Sequence, residues 1–260
     1  MLPRSPLPLI AVAAVVLLAG CSSTESNAKS GDVPLVEAGK LTDCTGLPYA
    51  PFEVEKDGKV VGFDMDLMDL VAKELNVEHV PIDTPFDGIE SGENFNANKC
   101  DLAAAGMTIT AERAKKFDFS DPYFDASQAL ITKKGAGYKD LAALKGKKLG
   151  VQQSTTGEEY AKKNGEGVEL VQFEDSGLQL AALASGKVDA VINDNGLLFE
   201  HARQHPEFEV TTEFETGEQY GIGVKKGNKA LLKVINDVLA KAKKDGTYDE
   251  IYKKWFPAAG

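Results

Sequence analysis

Two places in the chain gather residues able to hold a small charged molecule. Leu102-Ala103-Ala104-Ala105-Gly106 is a run of small and apolar residues, followed by Met107-Thr108-Ile109-Thr110 and then by Arg113. A strand that ends in alanine and glycine lets a ligand approach the main chain closely. Thr108 adds an N–H and a hydroxyl, and Arg113 adds a planar fork of donors that fits a carboxylate bidentately. A charge-assisted hydrogen bond of that kind is worth about 1.5–3 kcal/mol. In the other half, Val188-Asp189-Ala190-Val191-Ile192-Asn193-Asp194 is an apolar run that delivers Asp194 at its C-terminal end. Open α/β sheets bind ligands beyond such ends, whereas Asp189, at the start, reads as structural. An arginine from one half and an aspartate from the other can grip the carboxylate and the ammonium of one amino acid. The competing reading makes Arg113 a surface residue of the run Arg113-Ala114-Lys115-Lys116.

Other constellations carry less. His201 and His205 stand four apart on a helical stretch, a spacing that can chelate zinc, but Glu200, Arg203 and Gln204 around them describe a solvated face. Gly221-Ile222-Gly223 has Lys226 where a dinucleotide loop needs its third glycine, so it reads as a plain strand. Asp118 and Asp121 flank Phe119-Ser120 and suit turns and caps better than acid–base work. No Gly-x-Ser-x-Gly elbow is present, and no catalytic residue, metal site or cofactor is assigned. With 29 Lys+Arg against 40 Asp+Glu the chain carries a net charge of −11, which speaks against a nucleic-acid partner.

These side chains need a frame to position them. Leu41 to Cys44, Val77 to Ile82 and Leu102 to Gly106 read as strands, and Met65, Met68, Ala72 and Leu75 fall on one helical stripe. A second set follows Pro122. Gln128 to Thr132, Lys148 to Gln152, Val168 to Phe173 and Val188 to Asn193 read as strands. Thr156 to Lys163, Ser176 to Ala184 and Leu197 to Gln204 read as the helices between them, with Gly186 as a stop. Strands buried on both faces and alternating with helices indicate an α/β architecture of parallel strands. Leu231, Ile235, Val238 and Ala242 then form one more stripe, ahead of Gly246 and an aromatic tail from Tyr248 to Phe256. There is no exact internal repeat, but two similar sets of elements imply two lobes.

The N-terminus reads as a targeting segment. Arg4 precedes the unbroken apolar run Leu9 to Leu18, and no acid occurs before Glu25. The run is short of the roughly 20 residues that span a bilayer and suits a signal peptide. Leu18-Ala19-Gly20-Cys21 resembles the bacterial lipobox, which implies cleavage after Gly20 and a palmitate-type lipid on Cys21. An ordinary secretory signal is the alternative. Acylation of Cys21 leaves Cys44 and Cys100 as a pair outside the reducing cytosol, where a disulfide is expected. Two free thiols are the alternative, because Cys44 ends one strand and Cys100 begins another. Ser22 to Pro34 is small and polar and reads as a flexible tether over residues 21–34, with the folded part starting near Leu35.

Several of these stretches, in this order, resemble the bacterial extracytoplasmic solute-binding proteins for polar amino acids. They are Tyr49-Ala50-Pro51-Phe52-Glu53, Gly58 through Leu67, Gly106 through Arg113, Phe119 through Tyr123, Ser154-Thr155-Thr156, Val188 through Val191, and Asp245 through Tyr252. The resemblance covers about Leu41 to Phe256. It implies a type II periplasmic-binding-protein fold, two α/β lobes joined by two hinge crossings, near Asp125–Ala129 and Tyr220–Gly223. Lobe 1 would comprise 35–126 and 223–260, and lobe 2 would comprise 127–222. It further implies that Arg113 takes the ligand's α-carboxylate, with the N–H groups of Thr108 and of the Thr155–Thr156 turn at a helix N-terminus. Asp194 would take the α-ammonium with the Gly106 carbonyl and the Thr108 hydroxyl, and Tyr49 and Phe86 would sandwich the side chain.

The chain also departs from the pattern. The segment after Phe86 is polar and broken by glycine, and Ser154 stands where many members have glycine. Gln152 and Asn193 occupy positions where some glutamine binders place lysine and histidine, so no cation awaits an acidic side chain. Asp43 is expected to meet an amide or a cation. The implied function is a monomeric, lipid-anchored receptor that hands a polar L-amino acid, glutamine or another neutral or basic one, to the permease of an ABC importer. Dehydratases on the same scaffold and a sensor for a separate signalling partner are the alternatives.

Overall fold

The structure is a computed structural model that describes residues 28–30 and 33–257. The signal segment and Cys21 lie outside the described residues. Two five-stranded sheets form the frame. The first has the order Glu78–Asp83, Lys40–Thr45, Leu102–Ala103, Gly223–Val224, Asp118–Phe119. The second has the order Glu169–Phe173, Lys148–Gln152, Ala190–Asp194, Phe124–Lys133, Phe208–Tyr220. Each begins with three parallel strands, as the alternating strand–helix pattern requires, and ends with two antiparallel ones. This corrects the all-parallel expectation. The chain changes lobe along Phe124–Lys133, returns along Phe208–Tyr220, and the return strand must run against the outgoing one.

Helix Phe63–Leu75 buries Met65, Met68, Ala72 and Leu75 against lobe 1. Helix Lys229–Asp245, which follows the completed second set, returns to the same lobe and packs on Phe63–Leu75. Its buried residues, Leu231, Ile235, Val238, Leu239 and Ala242, follow the 3.6-residue period of one helical face. In lobe 2 the helices run Thr156–Asn164, Ser176–Ser185 and Asn195–Gln204, and Gly186 ends the second in the left-handed conformation. Among the described residues no helix is long and apolar enough to cross a membrane.

Two expectations change, on the tether and on the strand after Asp101, and the glycine break after Phe86 is seen as read. The tether is shorter than 21–34, because Ala28–Ser30 pairs antiparallel with Val33–Leu35. Val33 and Leu35 alternate inward and join the hydrophobic core, so the fold takes them up before Leu35. The segment after Phe86 is two short helices, Phe86–Glu90 and Glu93–Asn96, broken where Gly92 turns left-handed at φ 75°. Leu102–Gly106 is a strand only over Leu102–Ala103.

Cys44 and Cys100 form a disulfide with a Cα–Cα distance of 5.7 Å. Cys100 does not begin a strand: the strand starts only at Leu102, opposite Asp43, so Cys100 lies in the segment before it and is not held to a strand's extended path away from Cys44.

Candidate functional site

The C-terminal ends of the parallel strands from both sheets face one cavity with an empty volume of about 370 Å³. Tyr49, Phe86, Gly106, Thr108, Arg113, Gln152, Thr155, Thr156 and Asp194 line it, drawn from loops far apart in sequence. Gly106 sits at φ 50°, and a Cβ there would lie 2.7 Å from the Tyr49 ring. Only glycine can bring this main chain so close under the aromatic wall. Its N–H donates to Asp64 Oδ2 at 3.0 Å, and the Ala104 N–H donates to Asp43 Oδ1 at 2.8 Å. Side-chain carboxylates thus replace ladder partners, which is why the strand stops at Ala103.

Arg113 is not a surface residue. It is 5% exposed, its guanidinium lies 5.2 Å over the Phe86 ring, and it donates to the Thr108 carbonyl at 2.8 Å. A second donor reaches across the cleft to the Ser154 carbonyl at 3.1 Å. Ser154 holds that carbonyl in place with a left-handed φ of 64°, and its own N–H donates to Glu158 Oε2 at 3.1 Å. The serine therefore adopts the backbone that glycine would adopt. Beside it, the Thr155 hydroxyl caps helix Thr156–Asn164 by accepting the Glu158 N–H at 3.2 Å. A helix start facing a buried guanidinium favours an anion on both counts. Burial pulls the Arg113 pKa down, while Glu90, Asp194, Glu159 and Glu218 act to raise it.

Asp194, 5% exposed, accepts Gln128 Nε2 at 2.5 Å and the Tyr220 hydroxyl. Burial, and then the charge of Glu218, push its carboxyl up to about 7. Gln128 also donates to the Thr156 hydroxyl at 3.2 Å. On the side-chain wall, the Tyr49 hydroxyl donates to Asn193 Oδ1 at 2.9 Å, and Asn193 donates to Gln152 Oε1 at 3.3 Å and to Gln179 Oε1 at 2.8 Å. The arrangement sets a guanidinium and a helix start at one end of the cavity and a carboxylate at the other, charges that suit a zwitterion.

The family model of the bacterial extracellular solute-binding proteins, family 3, matches residues 41–258. The chain belongs to that family. Its similarity to the ABC transporter glutamine-binding protein GlnH of Bacillus subtilis (strain 168) is 37% identity, over 96% of this chain and 95% of the relative. ABC transporter arginine-binding protein 1 of Escherichia coli (strain K12) is 35% identical over 85% of this chain and 92% of its own. An ancestral arginine-binding protein, solved with glutamine bound, superposes with a TM-score of 0.80 at 45% identity, over 85% of this chain and 99% of that one. These relatives are transport binding proteins, and the two-lobed α/β fold of this solute-binding protein is theirs.

Asp43 does not line the cavity of this binding protein. Its strand carries it into the core, fully buried, where it accepts the Ala104 N–H and meets His79 Nε2 at 3.2 Å. His79 Nδ1 lies 2.8 Å from Asp69. Burial lowers the His79 pKa, but its bonds to Asp43 and Asp69 outweigh that and lift it to about 9. Asp43 is a positioning residue for the Ala104–Gly106 lip.

Glu218, Gln128 and Glu53, which sequence reasoning did not assign to the site, belong to its surroundings, and Asn193, read from the sequence only as a departure from the family pattern, lines the cavity. Glu218 accepts the hydroxyls of Thr108 and Thr156, each at 2.9 Å, and so ties the lobes together where the Thr108 hydroxyl was expected to serve the ligand. Its signal was period two, since it shares a strand face with Tyr220, which reaches Asp194. Gln128 and Asn193 sit mid-run in apolar strands, where a polar residue is the signal. Glu53, after Pro51-Phe52, is fully buried and lines the cavity. The His201 and His205 rings lie 4.5 Å apart between centroids, tilted by 36°, beside Phe208, and neither lines the cavity.

Proposed function

We propose that the protein is a lipid-anchored extracytoplasmic receptor that closes two lobes on a polar L-amino acid and delivers it to an ABC importer. The observation that carries this reading is the placement of buried Arg113 and buried Asp194 on one enclosed cavity, one from each sheet's half of the chain. Arg113, the Thr108 N–H and the Thr155–Thr156 helix start take the α-carboxylate. Asp194 and the Gly106 carbonyl take the α-ammonium, and Tyr49 and Phe86 flank the side chain. The lobes divide near 126/127 and 222/223, so closure is hinge bending about the paired crossing strands.

The distal end of the cavity favours a side chain that donates hydrogen bonds. Gln152 and Asn193 are neutral, and Glu53 adds a carboxylate. Glutamine and the basic amino acids fit that lining, and glutamate and aspartate do not. Glutamine and arginine as the named ligands of similar proteins support the same class. A lipid on Cys21 would hold the receptor, as a monomer, beside its permease, and stable anchoring takes more than one acyl chain.

The test is calorimetric titration of ligand-stripped protein with a panel of L-amino acids. Stoichiometric binding near micromolar affinity, about −8 kcal/mol, lost in Arg113→Ala and in Asp194→Ala, is the expected result. A folded protein that binds none of the panel refutes the reading.

A further inference from the structure

Lobe 1 contains a group of carboxyl oxygens that the amino-acid clamp does not use. Glu53 Oε1, Glu53 Oε2 and Asp64 Oδ1 are buried and have no hydrogen-bond partner. Both residues are fully buried, and Glu53 lines the ligand cavity.

Local structure holds the two residues' main chains together. The Phe63 and Asp64 N–H groups, at the start of helix Phe63–Leu75, donate to the carbonyls of Pro51 and Phe52 at 2.9 and 3.1 Å. The contact is so close that a Cβ on Gly62 would lie 1.8 Å from the Phe52 carbonyl oxygen. Glu53 is fixed in turn by main-chain bonds in both directions with Tyr49, at 2.7 and 3.1 Å. Asp64 Oδ2 is satisfied by the Gly106 N–H and the Tyr123 hydroxyl at 2.7 Å, which leaves Oδ1 free.

The charged and titratable groups around Glu53 are Asp64 on the following helix, Asp43 with its partner His79 on the neighbouring strands, Tyr49 and Tyr123. Arg113 and Asp194 also line the cavity. None of them donates to the Glu53 carboxyl. Two adjacent buried carboxylates without a cation do not both ionise, because like charges in a desolvated site hold one proton between them. Burial first, and then Asp64 and Asp43, raise Glu53 well above its usual range, and burial lifts Asp64 to about 7.

We propose that Glu53 and Asp64 share one proton in the empty receptor and that a cationic ligand side chain replaces it. This rests on the amino-acid reading above and specifies how the site distinguishes amide from basic ligands. With an amide ligand the proton stays, and the pair carries one negative charge. With a guanidinium the proton leaves to solvent, the pair carries two negative charges, and the ligand supplies one positive. The net charge of the buried site is the same in both complexes. One cavity therefore accepts either class without adding to the charge it buries.

The experiment is calorimetric titration of the full chain, in detergent, with L-arginine and with L-glutamine at pH 7, in buffers of different ionisation enthalpy. The slope of observed enthalpy against buffer enthalpy counts the protons released. Any contribution from Asp194 is common to both ligands and cancels in the difference. Arginine is expected to release about one proton more than glutamine, and Glu53→Gln to remove the excess and weaken arginine relative to glutamine at least tenfold. Equal proton counts in the wild type overturn the proposal while leaving the amino-acid reading intact. So does binding of glutamine without arginine. If arginine alone binds, its proton release in wild type is compared with that in Glu53→Gln, and no difference overturns the proposal. Binding of no amino acid removes the function and the proposal together.

Discussion

On the proposed function, lowering the pH from 8 to 5 is expected to weaken the binding of L-glutamine, with Asp194 setting the size of the effect. In the empty cavity burial and Glu218 hold its carboxyl near 7. An α-ammonium against it requires the ionised form. A free amino acid stays zwitterionic over this range, and the Glu53–Asp64 pair keeps its proton against an amide, so Asp194 is the titrating group. With a pKa about two units above pH 5, roughly one molecule in a hundred has Asp194 ionised, and the apparent Kd rises about a hundredfold, or about 2.7 kcal/mol. The profile is flat above pH 8 and approaches a tenfold loss per pH unit below 6. Glu218→Gln removes the like charge and moves the midpoint to lower pH. Calorimetry across the series reads both effects. Binding that changes less than twofold between pH 8 and 5 refutes the requirement for an ionised Asp194. A thermal measurement checks the same linkage with opposite sign. Because the folded-state pKa lies above the unfolded one, Asp194 supports the empty fold below about pH 4, and that support is lost as pH rises through about 7. Ligand-induced stabilisation is then larger at pH 8 than at pH 5.

Arg113→Lys loses the fork that contacts the Thr108 and Ser154 carbonyls, and affinity falls roughly 10- to 150-fold, the equivalent of about one charge-assisted hydrogen bond, by titration. Gly106→Ala puts a Cβ 2.7 Å from the Tyr49 ring at a left-handed φ, and destabilises by about 1–3 kcal/mol in denaturant melts while weakening ligand binding. Cys44→Ser with Cys100→Ser opens a loop of 56-residue separation, worth up to about 4 kcal/mol by loop-closure entropy, measured the same way. His79→Gln leaves Asp43 buried without its cation and costs about 3–5 kcal/mol. In the wild type the His79 contribution is fully present below about pH 6.5 and is lost as pH rises through about 9, so the variant's melts are flatter over that window.

Residues that act through their own local sequence were legible. Arg113 was legible as a candidate, but its local run reads equally well as a surface segment, and its burial under Phe86 decides for the cavity. Asp194 was, because an apolar run ending in an acid places that acid at the edge of a sheet. The lobe-1 stripe from Leu231 was legible as a helix, and the family resemblance supplied its return to the first lobe. Residues that act through a partner brought by the fold were not. Asp43 looks the same in sequence whether it meets a ligand or His79, and the register of Lys40–Thr45 with Glu78–Asp83 decides it. Glu218 shares a period-two face with Tyr220, but nothing in that pattern names its partners until the crossing strands set it between Thr108 and Thr156. Val33 and Leu35 sit in a polar segment too short to show a period, and only the core behind them makes their alternation meaningful.

The lip of the cavity shows why this boundary falls where it does. Ala104, Ala105 and Gly106 have almost no side chains of their own, so their sequence specifies closeness but not shape. Their shape comes from Asp43 and Asp64, which take the Ala104 and Gly106 N–H groups, and from Tyr49, which leaves no room for a Cβ. Those three residues precede the lip by some forty or more positions and reach it from the first strand, the first helix and the loop between. A carboxylate that accepts a buried N–H is worth more than a neutral partner in the same place. The strand accordingly ends where the carboxylates begin, and the main chain of 104–106, which would otherwise continue a ladder, lines the cavity instead. The same device puts buried acids beside the cavity, which leaves Glu53 and Asp64 with more oxygens than donors and makes their proton part of the binding equilibrium.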